Sequence, residues 1–386
     1  MTPLLIASLS CAVWIYLLTA RGGFWRAAQR DDPNMIMTSQ AIAWPRVVAV
    51  VPARDEAALI GESIASLLRQ DYRGDFSVIV VDDHSRDDTA VMARNAAAGA
   101  SDRMTVLYPP DLPAGWTGKL WALHHGVGHA LALPNPPDYL WLTDADIRHA
   151  PSTLTELVLR ATHERAVLTS LMAKLNCDTL AEQALIPAFV FFFQMLYPFA
   201  WVNRAQRPTA AAAGGCMLVD RRSLQAAGGI ESIRGELIDD CALARRLKRH
   251  GPIWLGLSER VRSARVYASI GEIRHMVARS AYAQLHFSPW WLACMTVVMA
   301  ITYLAPPLLT LVGTGVPQLL GALAWAQMTL AFQSTLRFYR VSPWWGLALP
   351  VIAGAYLVFA LDSAYQFMRG RGGEWKGRVH CQIPGQ

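Results

Sequence analysis

The chain has 386 residues, of which 53% are hydrophobic and 17% charged, and its formal net charge is +6 at pH 7. This length allows one large domain or two ordinary ones, and the composition is unusually apolar for a soluble enzyme. Arginines next to apolar segments account for much of the positive charge, so nucleic acid is not needed as a partner. The cysteines show no CxxC spacing and no matching histidine pairs, which argues against a structural zinc site and a disulfide framework: Cys11, Cys177, Cys216, Cys241, Cys294 and Cys381.

The first predicted element is an uncharged apolar segment at 3–20, which is long enough to cross a bilayer. Arg21, Arg26 and Arg30 follow this segment and do not precede it. That arrangement favours an uncleaved anchor over a signal peptide and holds the next segment in the cytoplasm. The sequence therefore predicts an N-terminal transmembrane anchor over 1–22 and a cytoplasmic soluble part.

Strand and helix signals alternate between about 45 and 275. Short apolar, β-branched runs predict strands at 46–51, 76–82, 104–109 and 139–146. Helical spacing of apolar residues marks the segments between and after them: 58–70, 89–100, where Thr89 can cap the helix, 119–132 and 152–163. This alternation predicts an α/β domain with a mostly parallel sheet flanked by helices, whose ligands bind beyond the carboxyl ends of the strands.

Acidic residues follow two of these strands. Asp82 and Asp83 end the second strand, and Asp144 and Asp146 end the fourth. A single aspartate after a strand often caps the next helix, but two such clusters favour a shared site. On an extended segment the two-residue spacing places both carboxylates on one side, where their oxygens suit Mg²⁺ or Mn²⁺ bridging a diphosphate. No glycine-rich phosphate loop is present, so Lys119 is the nearest basic candidate for the phosphates.

A third acidic pair, Asp239 and Asp240, begins a predicted helix within 236–251. Two interpretations stay open at this point. The pair can cap the helix ahead of a solvated basic face, or it can supply a general base beside a reacting centre.

Five motifs together resemble the family 2 glycosyltransferases in order and spacing: PARDE (52–56), VVDDHSRDDT (80–89), DAD (144–146), GGCMLVDRR (214–222) and IDDCALARRLKRHG (238–251). The resemblance covers 45–275 and implies a GT-A fold and an inverting enzyme that uses a nucleotide-activated sugar. The terminal apolar segments resemble the ceramide-glucosyltransferase branch. Three stretches are most similar to bacterial hopene-associated glycosyltransferases: 112–126, 213–222 and 276–285.

The resemblance also implies roles for individual residues. It places the metal on Asp144 and Asp146, and the catalytic base on Asp240, with Asp239 replacing the usual glutamate. It assigns nucleotide-sugar binding to nine positions: Pro52, Asp55, Glu56, Asp82, Asp83, Lys119, Asp144, Gly215 and Arg279.

The sequence departs from the family at 276–280. Many processive and lipid-directed relatives have a (Q/R)xxRW motif there, whereas this chain reads MVARS and lacks both the tryptophan and the leading residue. Arg279 can meet the diphosphate or anchor a helix at lipid headgroups, and both interpretations stay open. The departure disfavours polysaccharide synthesis and favours a single transfer to a lipid.

Three further apolar segments, at about 290–312, 317–336 and 344–361, predict a transmembrane bundle over 288–362 with a basic tail at 363–386. The uncharged segment 186–202 contains Pro187, Gln194 and Pro198. A single crossing there would separate Asp146 from Asp240. We therefore expect it to be interfacial or re-entrant, with a buried domain helix as the alternative.

The sequence thus predicts a multi-pass inner-membrane protein with a cytoplasmic catalytic domain. Its expected partners are a nucleotide diphospho-sugar, Mg²⁺ or Mn²⁺, and a lipid acceptor linked to hopanoid biosynthesis. Ceramide or another glycolipid is an alternative acceptor, and a non-catalytic nucleotide-sugar-binding membrane protein is an alternative of another class. A transporter would need charges within its spans, and a dinucleotide oxidoreductase would need a glycine-rich turn where this chain reads VPARDEA.

Overall fold

The computed structural model describes residues 2–31 and 43–370, residue 372, and the backbone of 374–375 and 378–379. The chain forms two compact units. One, the sheet unit, comprises 29–176, 201–266 and 375–386. The other, the helical unit, comprises 1–28, 177–200 and 267–374.

The sheet unit is built on eight strands: β1 Val47–Ala53, β2 Phe76–Asp82, β3 Met104–Leu107, β4 Tyr139–Leu142, β5 Ile147–His149, β6 Leu168–Lys174, β7 Met217–Asp220 and β8 Ile253–Ser263. Their order in the sheet is β3-β2-β1-β4-β7-β6-β8-β5. The neighbours within β3-β2-β1-β4 are all parallel, as predicted. Beyond β4, the β4–β7, β6–β7 and β5–β8 pairs are antiparallel and only β6–β8 is parallel among the described strands, so the whole sheet is mixed.

The central strand β1 is buried at every position, which explains its unbroken run of apolar residues. The sequence predicts that this strand ends before Pro52, but Pro52 lies within it and is in register with Val81 of β2. Pairing with β4 stops at Val50, so the last residues of β1 have one neighbouring strand. Proline, which has no backbone N–H to donate, is tolerated there because β1 pairs with a neighbouring strand on one side only.

Helices of the sheet unit cover Ile60–Leu68, Thr89–Ala96, Gly118–Leu131, Thr153–Glu164, Arg221–Ala226 and Asp239–Leu247. Thr89 is the first residue of its helix and not the predicted cap; its hydroxyl oxygen instead accepts a hydrogen bond from the Glu56 N–H at 2.8 Å. Gly126 explains how close helix 118–131 lies to the sheet, because a Cβ at 126 would be 2.4 Å from Val50 Cγ1 and 2.8 Å from Val81 Cγ2. The helix runs back along the parallel strands, so its first turn, with Lys119, lies at their carboxyl ends.

The helical unit contains helices Thr2–Thr19, Leu180–Leu196, Ile270–Gln284, Pro289–Met299, Ala305–Val312, Val316–Tyr339 and Leu349–Met368. A π-helical turn, Ala300–Leu304, joins the fourth to the fifth. Within the described chain, four helical segments are long and apolar enough to cross a membrane: Thr2–Thr19, Leu180–Val202, Pro289–Val312 and Leu349–Met368.

This set differs from the predicted spans in two ways. Val316–Tyr339 is not among the four, although 317–336 is predicted as a span; three glutamines and Arg337 reduce its hydropathy. Leu180–Val202 is among them, although 186–202 is not predicted to span. The last helix ends at Met368, so the predicted tail at 363–386 begins later than expected, and 371, 373, 376–377 and 380–386 lie outside the described residues.

Connectivity limits what helix Leu180–Leu196 can do. Strands β1 to β6 precede it in the chain, β7 and β8 follow it, and all eight belong to one sheet. A single crossing of a bilayer by this helix would place parts of one sheet on opposite sides. The helix is therefore not a lone transmembrane span.

Candidate active site

Charged side chains from five separate segments of the sheet unit come together in two ion-paired groups. We call the first the Lys119 group, comprising Lys119, Asp144, Asp239 and Asp240. We call the second the Arg265 group, comprising Arg265, Glu56 and Asp146. Both groups draw on the segment immediately after β4, so the two adjoin at Asp144 and Asp146.

In the Lys119 group, one ammonium bridges two carboxylates. Lys119 Nζ lies 2.9 Å from Asp144 Oδ1 and 3.1 Å from Asp239 Oδ2. Burial disfavours the charge on Lys119, but Asp144 and Asp239 outweigh burial and raise its pKa. Lys119 therefore stays protonated and connects the acidic residues after β4 to those that begin helix 239–247.

Asp240 is held by two backbone amides. Its Oδ2 accepts a hydrogen bond from the Gly214 N–H at 2.9 Å, and its Oδ1 accepts one from the Cys241 N–H at 2.7 Å. Burial and the adjacent Asp239 carboxylate raise the pKa of Asp240 to about 6, against the opposing effect of Lys119. A fixed carboxylate that titrates near neutral pH has the properties of a general base.

Gly214 lies against this group, although the sequence prediction selects its neighbour Gly215. A Cβ at 214 would be 3.3 Å from Lys119 Nζ and 3.5 Å from Asp240 Oδ2. Gly215 has a different environment: its carbonyl accepts a hydrogen bond from the Thr143 hydroxyl at 2.7 Å, and a Cβ there would be 3.2 Å from Ile147 Cδ1. Gly215 therefore packs beneath the segment that carries Asp144, and Gly214 faces the charged groups.

The Arg265 group is centred on a residue that the sequence prediction misses. Arg265 Nη2 lies 2.7 Å and 2.9 Å from the two carboxylate oxygens of Glu56, and Nε lies 2.8 Å from Asp146 Oδ2. Arg265 lies two residues after the end of β8, a strand that no sequence pattern predicted, and its partners are 209 and 119 residues away. Because β8 is not predicted from the sequence, no local signal marks Arg265 as a residue at a strand exit.

The structure corrects the predicted geometry of Asp144 and Asp146. β4 ends at Leu142, and Ala145 and Asp146 form a turn, so the two aspartates do not lie on an extended segment. Consequently each carboxylate faces a different cation, Lys119 or Arg265.

The carboxylates of Asp144 and Asp146 still suit a hard divalent ion such as Mg²⁺ or Mn²⁺. The described residues contain no group of three or more histidine, cysteine, aspartate or glutamate side chains suited to a metal. Asp144 and Asp146 side chains are 34% and 18% exposed, and both already lie beside a positive group. Mg²⁺ is commonly held by one or two carboxylates together with substrate phosphates and water, so two aspartates at an open edge suffice.

The loops after β1 and β2 are locked to each other. Asp55 and His84 have left-handed backbones, with φ of 50° and 55°. Asp55 Oδ1 accepts a hydrogen bond from the Arg86 N–H at 2.7 Å, and Asp82 Oδ1 accepts one from the Ser85 N–H at 2.9 Å. Non-glycine residues in this conformation cost about 1 kcal/mol each and tend to occur at functional sites.

Burial and exposure bear on the roles of three other predicted nucleotide-sugar-binding residues. Asp83 is fully buried and lies 3.7 Å from Arg54, and Pro52 is buried within β1. Neither has exposed surface for a direct ligand contact. Arg279 is exposed on helix Ile270–Gln284 of the helical unit, and its role stays a prediction.

Comparisons with known proteins agree on the fold and the family. The chain shares its fold with a mannosyltransferase from Pyrobaculum calidifontis solved in complex with GDP-Man and Mn²⁺, with 20% identity, a TM-score of 0.51, and coverage of 92% of this chain and 99% of that one. Glucosyl-3-phosphoglycerate synthase from Mycobacterium tuberculosis has 20% identity over 63% of this chain and 79% of that one, with a TM-score of 0.42.

Among curated proteins, the 4,4'-diaponeurosporenoate glycosyltransferase of Staphylococcus aureus is 37% identical over 81 residues. That match spans 21% of this chain and 20% of the relative, so it covers only a fifth of the relative's length. The model of the glycosyltransferase like family 2 matches residues 45–265, more than half of the chain. The fold prediction is thereby confirmed, and the chain belongs to the family 2 glycosyltransferases, with a GT-A domain built on its mixed sheet.

Proposed function

We propose that this glycosyltransferase is a membrane-bound inverting enzyme that transfers a sugar from a nucleotide diphospho-sugar to a lipid acceptor. The observation that carries the proposal is Asp240, a half-buried carboxylate with a pKa of about 6 that lies beside the Lys119–Asp144 pair. A base and a phosphate-binding cation in one group are what a single-displacement glycosyl transfer requires.

In this proposal Asp240 removes the proton from the acceptor hydroxyl as that oxygen attacks the anomeric carbon. Attack comes from the face opposite the departing nucleoside diphosphate, so one displacement inverts the anomeric centre. The amides of Gly214 and Cys241 hold the carboxylate in place. Like-charge repulsion from Asp239 adds to the effect of burial and raises the pKa of Asp240 towards neutral pH. The positive charge of Lys119 limits this increase.

Donor binding is assigned to the edge formed by the loops after β1, β2 and β4. Glu56 and Asp82 are proposed to contact the nucleoside, and Lys119 the diphosphate. Asp144 and Asp146 would hold Mg²⁺ or Mn²⁺, which when bound neutralises charge on the leaving diphosphate. The mannosyltransferase of the same fold was solved with Mn²⁺, which is consistent with this assignment. Arg279 is proposed to reach either the diphosphate or lipid headgroups.

The lipid acceptor is proposed from the helical unit. Its four apolar helices carry large exposed hydrophobic side chains, including Leu5 (69% exposed), Leu311 (73%) and Val351 (76%), which suit contact with lipid tails. We place the protein in the bacterial inner membrane with 45–275 on the cytoplasmic face, because Arg21, Arg26 and Arg30 follow the first helix. Since helix Leu180–Leu196 is not a lone span, we propose that it is interfacial or re-entrant.

The proposed chemical class of the lipid acceptor rests on sequence similarity alone. The Staphylococcus relative is named for a lipid-like carotenoid acid, and the stretches 112–126, 213–222 and 276–285 resemble hopene-associated enzymes. We therefore propose a hopanoid acceptor. Ceramide or another glycolipid is the alternative outcome of the acceptor test.

The test incubates membranes containing the protein with labelled nucleotide sugars and then extracts lipids. Membranes with Asp240→Asn serve as the matched control. Label in a triterpenoid fraction, present with the wild type and lost with the variant, is the expected result. Nucleotide-sugar binding without label in any lipid and without donor hydrolysis would instead indicate a non-catalytic binding protein.

A further inference from the structure

The position of Arg265 points to a function that the proposed reaction does not assign. Its guanidinium makes two contacts with Glu56, at 2.7 Å and 2.9 Å, and one with Asp146, at 2.8 Å. Asp146 is one of the two carboxylates proposed to hold the divalent ion. A resident cation therefore occupies a carboxylate oxygen that the ion would use.

Backbone contacts hold Arg265 against the segment that carries Asp146. The Asp146 carbonyl accepts a hydrogen bond from the Ala264 N–H at 2.7 Å. The Arg265 carbonyl accepts one from Asn176 Nδ2 at 2.8 Å, and the Arg265 N–H donates to Ser263 Oγ at 3.1 Å. These bonds fix the base of the side chain, so the guanidinium is preplaced between Glu56 and Asp146.

The contacts are unequal in a way that favours exchange at Asp146. A contact between charged groups is stronger where less water reaches it. Arg265 Nη2 contacts both oxygens of Glu56, whose side chain is 11% exposed, whereas Nε contacts one oxygen of Asp146, whose side chain is 18% exposed. The guanidinium can release Asp146 and keep Glu56, so the Asp146 contact is the exchangeable one.

We infer that Arg265 is a built-in counter-cation that holds Asp146 in the ion-free site and competes with the divalent ion for that carboxylate. This inference rests on the proposed metal site at Asp144 and Asp146. Competition makes ion binding weak without donor, because the ion must displace Arg265 from Asp146. A diphosphate adds oxygen ligands and negative charge, so ion and nucleotide bind best together.

Mn²⁺ titration of the purified full-length protein in detergent, followed by electron paramagnetic resonance, tests this inference. Arg265→Gln should bind Mn²⁺ about tenfold more tightly than the wild type without nucleotide, because the competing charge is gone. The strengthening of Mn²⁺ binding by added UDP or GDP should be smaller in the variant. Arg265→Lys keeps the charge and should stay close to the wild type.

Arg262→Gln is the matched control, because Arg262 lies in β8 three residues before Arg265, is exposed, and donates a hydrogen bond to the Glu259 carbonyl at 2.9 Å. Its Mn²⁺ affinity should not change, so an increase there would show that any lost positive charge has the same effect and would overturn the inference. If Arg265→Gln does not fold, as judged by thermal melting, Arg265→Met retains the alkyl stem and replaces it in the titration.

The titration distinguishes failure of the Arg265 inference from failure of the proposed metal site. If the wild type binds Mn²⁺ with nucleotide but the neutral variants bind it equally or more weakly without nucleotide, Arg265 does not compete and this inference alone is wrong. If the wild type binds no Mn²⁺ even with UDP or GDP present, the proposed metal site is wrong and this inference fails with it.

Discussion

Lys119 Nζ lies 3.1 Å from Asp239 Oδ2, which links the first turn of helix 118–131 to the first residue of helix 239–247. The same nitrogen contacts Asp144 at 2.9 Å. One ammonium therefore balances carboxylates from two distant segments. Its removal should leave these carboxylates without their compensating positive charge.

Lys119→Met should destabilise the sheet unit in a pH-dependent way. Breaking a buried pair costs about 3–5 kcal/mol, and we expect about 1–3 kcal/mol here because Asp144 is 34% exposed. Without Lys119 the pKa of Asp240 rises further, because the ammonium no longer opposes burial and Asp239, so protonation of Asp240 relieves the repulsion as the pH falls. The loss measured by thermal melting should be larger at pH 8 than at pH 5.

Lys174→Met is the matched control for this variant, because Lys174 pairs with Glu259 at 3.2 Å elsewhere in the sheet unit. An equal loss of stability at both pH values in Lys119→Met would contradict the view that its charge holds the acidic residues together.

The rate of transfer should depend on the ionisation of Asp240. A general base acts in its deprotonated form, so kcat/KM should rise through about pH 6 and level off above it. Asp239 raises the pKa of Asp240, so Asp239→Asn should move this limb to lower pH. A pH–rate profile of donor turnover measures both, and a limb that moves to higher pH in the variant would argue against Asp240 as the base.

Gly214→Ala should impair transfer by about tenfold or more. The new Cβ would lie 3.3 Å from Lys119 Nζ and 3.5 Å from Asp240 Oδ2, which displaces charged groups whose positions matter to within an ångström. Gly99→Ala is the control, because no atom lies within 4 Å of a Cβ built there. Equal activity of both variants in the transfer assay would show that Gly214 is not part of the site.

Asp82→Ala should weaken nucleotide binding before it affects the chemical step. Asp82 is 4% exposed and accepts a hydrogen bond from the Ser85 N–H, so its carboxylate also shapes the loop after β2. Asp82→Asn retains an acceptor for that bond and should lose less affinity. A titration with the nucleoside diphosphate compares the two, and equal losses would indicate a direct requirement for the charge.

The parts of the fold that the sequence predicts are those whose burial leaves a local pattern. β1 and β2 are buried almost throughout, so they appear as unbroken apolar runs, and the helices between them have regular apolar spacing. β8 begins with a buried run at 253–258 but continues through Glu259, Arg260 and Arg262, and the sequence analysis predicts no strand there. The antiparallel half of the sheet depends on long-range pairing that no local pattern encodes.

The site residues also divide into those that stand in local sequence motifs and those that only long-range contacts reveal. Asp144, Asp239 and Asp240 were identifiable because they stand in compact motifs, and the structure brings them to one lysine. Arg265 was missed because its partners are far away in sequence, and Gly214 because only the packed structure shows which of two adjacent glycines faces the charges.

The most direct test of the proposed mechanism is the turnover of Asp240→Asn, measured together with its nucleotide affinity and thermal stability. Removing a positioned base should lower transfer by about 10²-fold or more and leave nucleotide affinity nearly unchanged. Burial and Asp239 raise the pKa of Asp240 from 3.8 to about 6, so its ionised form costs stability at pH 8. Removing that charge should offset the one amide hydrogen bond that asparagine cannot accept, and the variant should melt close to the wild type at pH 8. Normal turnover in a folded Asp240→Asn protein, with Asp239→Asn inactive, would assign the base to the neighbour, and normal turnover in both would contradict the mechanism.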